Sequence, residues 1–196
     1  MLVLASGSFI RRRLLEAAGL EFVADPADID ERAVQDDDPD TLAQILAVAK
    51  ARAVAPRHPG RIIIGSDQVF EMDGALGSKP ETPEALREQL LSMNGKAHTF
   101  HCGLALVRDQ ELLHAEVDRA RVRFHHLSNS EIEDYVATGE GIGCAGGYRL
   151  EEGGVRLIES IEGSHFTVLG LPMLGLIAAL RTLDPLTLIR RSQENS

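Results

Sequence analysis

The stretch "LASGSFIRRRLL", residues 4–15, sets Ser6, Gly7 and Ser8 between a short apolar run and three consecutive arginines. A strand-to-helix turn presents free backbone N–H groups at the positive end of a helix, which makes a ready anion site. Serine hydroxyls add donors, and an arginine on the first turn can fork onto phosphate oxygens. Positive charge in a helix's first turn also opposes the macrodipole unless an anion compensates. Phosphate would supply that anion. A solvated basic helix face is the competing reading.

Asp67 is the second candidate. It follows three isoleucines and a glycine in "RIIIGSDQVF", at the end of a strand expected to be buried. A carboxylate there is costly unless it is paired or binds a metal. Asp30 and Glu31 lie in an acidic loop, where acids are ordinarily just solvated. Together with Asp67 they could form the oxygen-rich site that Mg²⁺ prefers. Lys50 sits beside the apolar stripe of its helix and could point into a groove. Lys79 precedes Pro80 in "GSKPET", an extended dipeptide that holds its side chain in place. Either lysine alone also reads as a surface residue.

Other patterns carry less. "GIGCAG", Gly141 to Gly146, fits G-x-G-x-x-G, but a dinucleotide fingerprint should follow a strand and open a helix. Here the glycines follow a helix end and lead into a loop. His101 and Cys102 cannot pair, because adjacent strand residues point to opposite faces. No G-x-S-x-G elbow or P-loop occurs.

The elements that must hold these residues follow from periodicity and capping signals. Leu2–Ala5 reads as a buried strand. Ser8 caps a helix from Phe9 to Ala18, closed by Gly19. Glu21–Ala24 is a second strand, and 25–40 is an acidic loop. Asp40 is expected to cap a helix over Thr41–Val54. Arg61–Phe70 is strand, with a hairpin signal at Asp73-Gly74. Thr82-Pro83 starts a helix that ends near Asn94-Gly95. Strands are expected over Thr99–Asp109, Glu111–Phe124, Val155–Ile161 and Phe166–Val168. Ser128 or Ser130 opens a short helix to Val136, and a glycine-rich loop covers Gly139–Gly154. A last helix spans Leu171–Leu183, and residues 184–196 form a polar, frayed tail.

The chain has 196 residues, 44% of them hydrophobic, enough for one domain spanning residues 1–196. No apolar run reaches membrane-spanning length; Phe166–Leu180 is broken by Gly170, Pro172 and Gly175. Cys102 and Cys144 lack metal-type spacing and fit a reduced, cytoplasmic protein. A net charge of −10 argues against general nucleic-acid binding. A small anion remains possible where cations cluster locally.

"LASGSFIRRRLL", "DIDE", "AVAKARA", "IIGSDQVF", "GSKPET", "MNGKAHTF", "CAGGYRLEEGG" and "IEGSHFTVLGLP" occur in the order and spacing of the Maf family. The resemblance runs from about Leu2 to Leu180. It implies a nucleoside triphosphate pyrophosphatase, with a mixed α/β fold of two lobes around a deep cleft, akin to the inosine-triphosphate pyrophosphatases. It also implies a homodimer and a divalent cation, Mg²⁺ or Mn²⁺. By the same resemblance, Ser6, Ser8 and Arg11 would hold the triphosphate, with Arg12 as a further substrate contact. Glu31 and Asp67 would hold the metal, Lys50 and Lys79 would neutralise phosphate charge, and Asp67 would take the proton from water.

Substrate choice follows from two branches of that family. "GSDQ" and "CAGGYRLE" resemble the branch acting on 7-methyl-GTP, so Gln68 and Glu151 are the expected base contacts. Guanine's N1–H and N2 amino group are donors, and a carboxylate accepts both. Ile10 stands where that branch often has Trp and the branch acting on dTTP and UTP has Arg. A dTTP/UTP enzyme and a nucleotide-binding regulator of cell division without turnover are the competing functions.

Overall fold

The computed structural model describes residues 1–189. In chain order the elements are β1 (Leu2–Leu4), α1 (Phe9–Ala17), β2 (Phe22–Ala24), α2 (Pro39–Val54), β3 (Ile63–Met72), β4 (Ala75–Leu76) and α3 (Pro83–Met93). They continue with β5 (Ala97–Arg108), β6 (Glu111–Phe124), α4 (Asn129–Thr138), β7 (Ile158–Gly163), α5 (His165–Val168) and α6 (Met173–Leu183). The result is a mixed α/β fold on a seven-stranded sheet of order β2-β1-β3-β5-β6-β7, with β4 hydrogen-bonded to β3. β1 runs parallel to β2 and β3, while β3, β5, β6 and β7 pair antiparallel.

Alternation along the strands sorts the core. Leu2, Leu4, Leu104 and Leu106 face α1 and α6, packing against Leu15, Leu176 and Leu180. Val3, Ala5, Ile63 and Ala105 face α2 through Ala47, Ala51 and Val54. Toward the other end, Phe100, Val122 and Phe124 pack with Leu86 and Leu90 of α3 and Ile132 and Tyr135 of α4. β5 and β6, of 12 and 14 residues, contribute to cores at both ends.

α2 lies almost flush on the sheet because two strand positions have no side chain. A Cβ at Gly65 would collide with the Ala47 carbonyl oxygen, and one at Gly103 with that of Ala43. That closeness brings Lys50 on α2 over Asp67 on β3.

Capping signals place most helix starts. Ser8, Thr82 and Ser128 accept from the backbone N–H three residues on, and Ser128 forms a full capping box with Glu131. The Asp73-Gly74 turn has φ of 54° and 80°, as a tight hairpin requires.

The structure corrects several boundaries. Asp38, not Asp40, caps α2, and Pro39 takes the first helical position. Asp40 instead accepts from Arg119 and lies 2.6 Å from His101 Nδ1. Residues 166–168 form helix rather than strand, since a short apolar run fits a buried helical turn equally well. Gly153–Leu157 is a 3₁₀ turn, so the strand begins at Ile158. The acidic loop holds a 3₁₀ turn at Glu31–Ala33, and Pro185–Leu188 forms another. The rest of the expected tail, residues 190–196, lies outside the described residues.

Candidate active site

A cleft of about 450 Å³ opens where the β1–α1 turn, β3 and the glycine-rich loop meet. Ser6, Ser8, Ile10, Arg11, Glu31, Lys50, Asp67, Gln68, Lys79 and Glu151 all line it. Residues scattered from 6 to 151 in sequence are therefore neighbours in space.

Its centre is a carboxylate–ammonium–carboxylate bridge. Lys50 Nζ lies 2.5 Å from Asp67 Oδ1 and 2.7 Å from Glu31 Oε1. Lys50 and Asp67 are only 8% and 7% exposed. A buried ion pair needs such close geometry to offset its desolvation. Burial works against ionisation of Glu31. The hydrogen bond and charge of Lys50, with Lys79 and Arg11 adding, outweigh it and hold that carboxyl below its ordinary value.

The β1–α1 turn is tied down from within. Ser8 Oγ accepts from Arg11 N, capping α1, and Ser6 Oγ accepts from Ser8 N at 3.2 Å. Both hydroxyl protons remain to donate to an anion. Arg11 reaches across the cleft wall. Its Nε donates to the Gly170 carbonyl at 2.6 Å and its Nη1 to the Ser66 carbonyl at 2.8 Å. Much of that guanidinium therefore holds main chain, and only its remaining N–H groups are left for a ligand.

Gln68 is similarly committed. Its amide nitrogen donates to the Thr167 and Val168 carbonyls, at 2.8 and 2.9 Å. Only its carbonyl oxygen is left for a ligand.

Arg12 does not line the cleft, against the sequence expectation. Successive helix residues turn by about 100°, so adjacent arginines cannot share one direction. Among the lining residues that the sequence analysis did not assign are Phe9 and Arg149. Arg149 sits in "GYRLEE", two residues before Glu151, and a cation within that short run was the available signal.

His101 and Cys102 fall outside the cleft. Cys102 is fully buried beneath Ser66, and burial pushes its thiol up to about 12. His101 points to the opposite face, toward Asp40, so the two are not a pair. "GIGCAG" opens no long helix, only a 3₁₀ turn at Ala145–Gly147. Among the described residues no helix is long and apolar enough to cross a membrane.

Fold and cleft together define a mixed α/β protein in which helices, loops and one strand of the central sheet bring cations and paired carboxylates to one crevice. The chain belongs to the Maf-like protein family, which matches residues 1–183. A protein of Nitrobacter winogradskyi named nucleoside triphosphate pyrophosphatase is 45% identical over 187 residues, covering 92% of this chain and 93% of that one. A like-named protein of Nitrobacter hamburgensis is 44% identical over 193 residues, covering 95% and 96%. A protein of Rhizobium etli named 7-methyl-GTP pyrophosphatase is 41% identical over 190 residues, covering 93% and 96%.

Proposed function

We propose that this chain, a nucleoside triphosphate pyrophosphatase by family, hydrolyses the α–β phosphoanhydride of 7-methyl-GTP to the monophosphate and pyrophosphate. The observation that carries the chemistry is the bridge Glu31–Lys50–Asp67 inside a cleft that also holds Arg11 and Lys79. The observation that favours guanine is Glu151 on the same lining, an acceptor for N1–H and the N2 amino group.

Breaking that bond loads negative charge onto the departing pyrophosphate. Lys50, Lys79 and Arg11 are the cations that would stabilise it as it forms. Each fixed stabiliser of this kind is typically worth about 3–4 kcal/mol. Ser6, Ser8 and the free N–H groups of the α1 turn would seat the phosphate oxygens. Asp67 would orient the attacking water and accept its proton.

Glu31 and Asp67 fit a Mg²⁺ or Mn²⁺ ion. Both carboxylates already share one cation, the Lys50 ammonium, so they are near enough to share a metal ion once Lys50 turns to phosphate; Mg²⁺ is commonly bound by one or two carboxylates completed by substrate phosphates. Among the described residues no three His, Cys, Asp or Glu side chains cluster closely enough to hold a metal unaided. Substrate oxygens would therefore complete the set. When bound, such an ion supplies Lewis-acid activation of water and screening of phosphate charge. Ile10, Gln68 and Glu151 would contact the base. The reading is completed by a cytoplasmic homodimer that handles free nucleotides and neither nucleic acid nor membrane, in keeping with the net charge of −10.

A pyrophosphate-release panel over ordinary and methylated nucleoside triphosphates, run with Mg²⁺ or Mn²⁺ beside Glu151→Gln, tests this. The expected result is the highest kcat/KM with 7-methyl-GTP and a loss of guanine preference in the variant. A wild type preferring dTTP or UTP would move the chain to pyrimidine substrates. Tight binding without pyrophosphate release would make it a nucleotide-binding regulator.

A further inference from the structure

We infer that Phe9 is the platform on which the nucleotide's base stacks, which makes it a specificity-determining residue; this rests on the nucleotide reading above. Phe9 is the first residue of α1 and borders the cleft, yet the residue is 63% exposed and belongs to none of the hydrophobic clusters. Singly exposed apolar side chains are ordinary on a protein surface; what sets Phe9 apart is that its exposed side chain lies on the lining of the cleft.

The other aromatic rings on the lining are already spent. Phe100 and Tyr148 are 2% and 5% exposed and are locked into a cluster with Phe70, His98 and Phe124. Phe9 alone among the aromatic residues of the lining has a broad face to offer. Arg13, one helical turn on, places its guanidinium 5.8 Å from the ring centroid. That contact occupies one face of the ring, so a guest would stack on the other.

A π-face is read by every base, so stacking by itself is tolerant of sequence. A purine methylated at N7 carries positive charge, and a cation gains more from an aromatic face than a neutral base does. Glu151 on the same lining would read the base edge. Edge and face together select a cationic guanine over a pyrimidine.

The chain contains no tryptophan, so Phe9→Trp installs a single indole reporter at the rim. Its emission is followed while 7-methyl-GMP, GMP, UMP or inorganic tripolyphosphate is added. The expected result is quenching by the nucleotides, deepest with 7-methyl-GMP, and none with tripolyphosphate. In parallel, Phe9→Leu keeps an apolar side chain without the ring. Its KM for 7-methyl-GTP should rise about five-fold or more, with kcat held within about two-fold. Emission indifferent to every nucleotide, or an unchanged KM in Phe9→Leu while the wild type turns over 7-methyl-GTP, overturns the role of Phe9. Quenching by nucleotides in a protein that does not hydrolyse 7-methyl-GTP leaves the platform standing and overturns the substrate instead.

Discussion

Lys50 stands between Glu31 and Asp67, donating to an oxygen of each at 2.7 and 2.5 Å. Removing the ammonium would leave two carboxylates facing each other. Lys50→Met should therefore lose stability as well as about 10²–10³ in kcat, the latter the usual cost of deleting one charge-stabilising group. Steady-state kinetics beside a circular-dichroism spectrum decide it. Activity within ten-fold of wild type would show that the bridge is only structural.

Asp67→Asn keeps the shape and removes the proposed base. Nucleotide affinity should persist while pyrophosphate release falls by about 10²–10⁴. Equilibrium binding and single-turnover assays separate the two effects. A parallel loss of both would assign Asp67 to binding.

Arg11 fastens the β1–α1 turn to the Gly170 and Ser66 carbonyls. Lysine cannot reach both with one ammonium. Arg11→Lys should cost about 2 kcal/mol in urea unfolding, because hydrogen bonds to a charged donor are among the stronger ones. An unchanged midpoint would mean that the fork is dispensable for the fold.

Gly103→Ala tests how closely α2 lies on the sheet. Its Cβ would meet the Ala43 carbonyl, which is backbone and cannot rotate away. A loss of about 1–3 kcal/mol is expected, the typical cost of overpacking. Stability equal to wild type would show that the helix can lift.

Burial lowers the pKa of His98 to about 3, from an ordinary value near 6.5. The unfolded chain therefore binds a proton that the folded one refuses between those limits. The stability tied to neutral His98 is fully present above pH 6.5. It is lost as pH falls toward 3, by at most about 1.4 kcal/mol per pH unit. His98→Phe should show a shallower acid slope than wild type in urea titrations between pH 6.5 and 4. Equal slopes would mean that His98 already charges in the native state.

Local chemistry made much of this legible. Ser8, Thr82-Pro83 and Ser128 are cap signals, and Asp73-Gly74 is a hairpin signal; each sits where its type dictates. Ambiguity arose where two residues could serve equally. Asp38 and Asp40 are both capping types, and only the fold, through His101 and Arg119, shows which is engaged elsewhere. Residues 166–168 are too few to display a period. At the cleft, residue types were readable and directions were not. Arg11 and Arg12 look alike in a row of letters, and helical rotation separates them. The prior commitments of Arg11 and Gln68 to main-chain carbonyls are long-range contacts that no short motif encodes.

β5 and β6 run unbroken from one hydrophobic cluster to the other. Walls mounted on a shared girder cannot swing like jaws on a hinge. Adjustment of the crevice to a guest is therefore expected from the loops along its rim rather than from a swing between the two clusters.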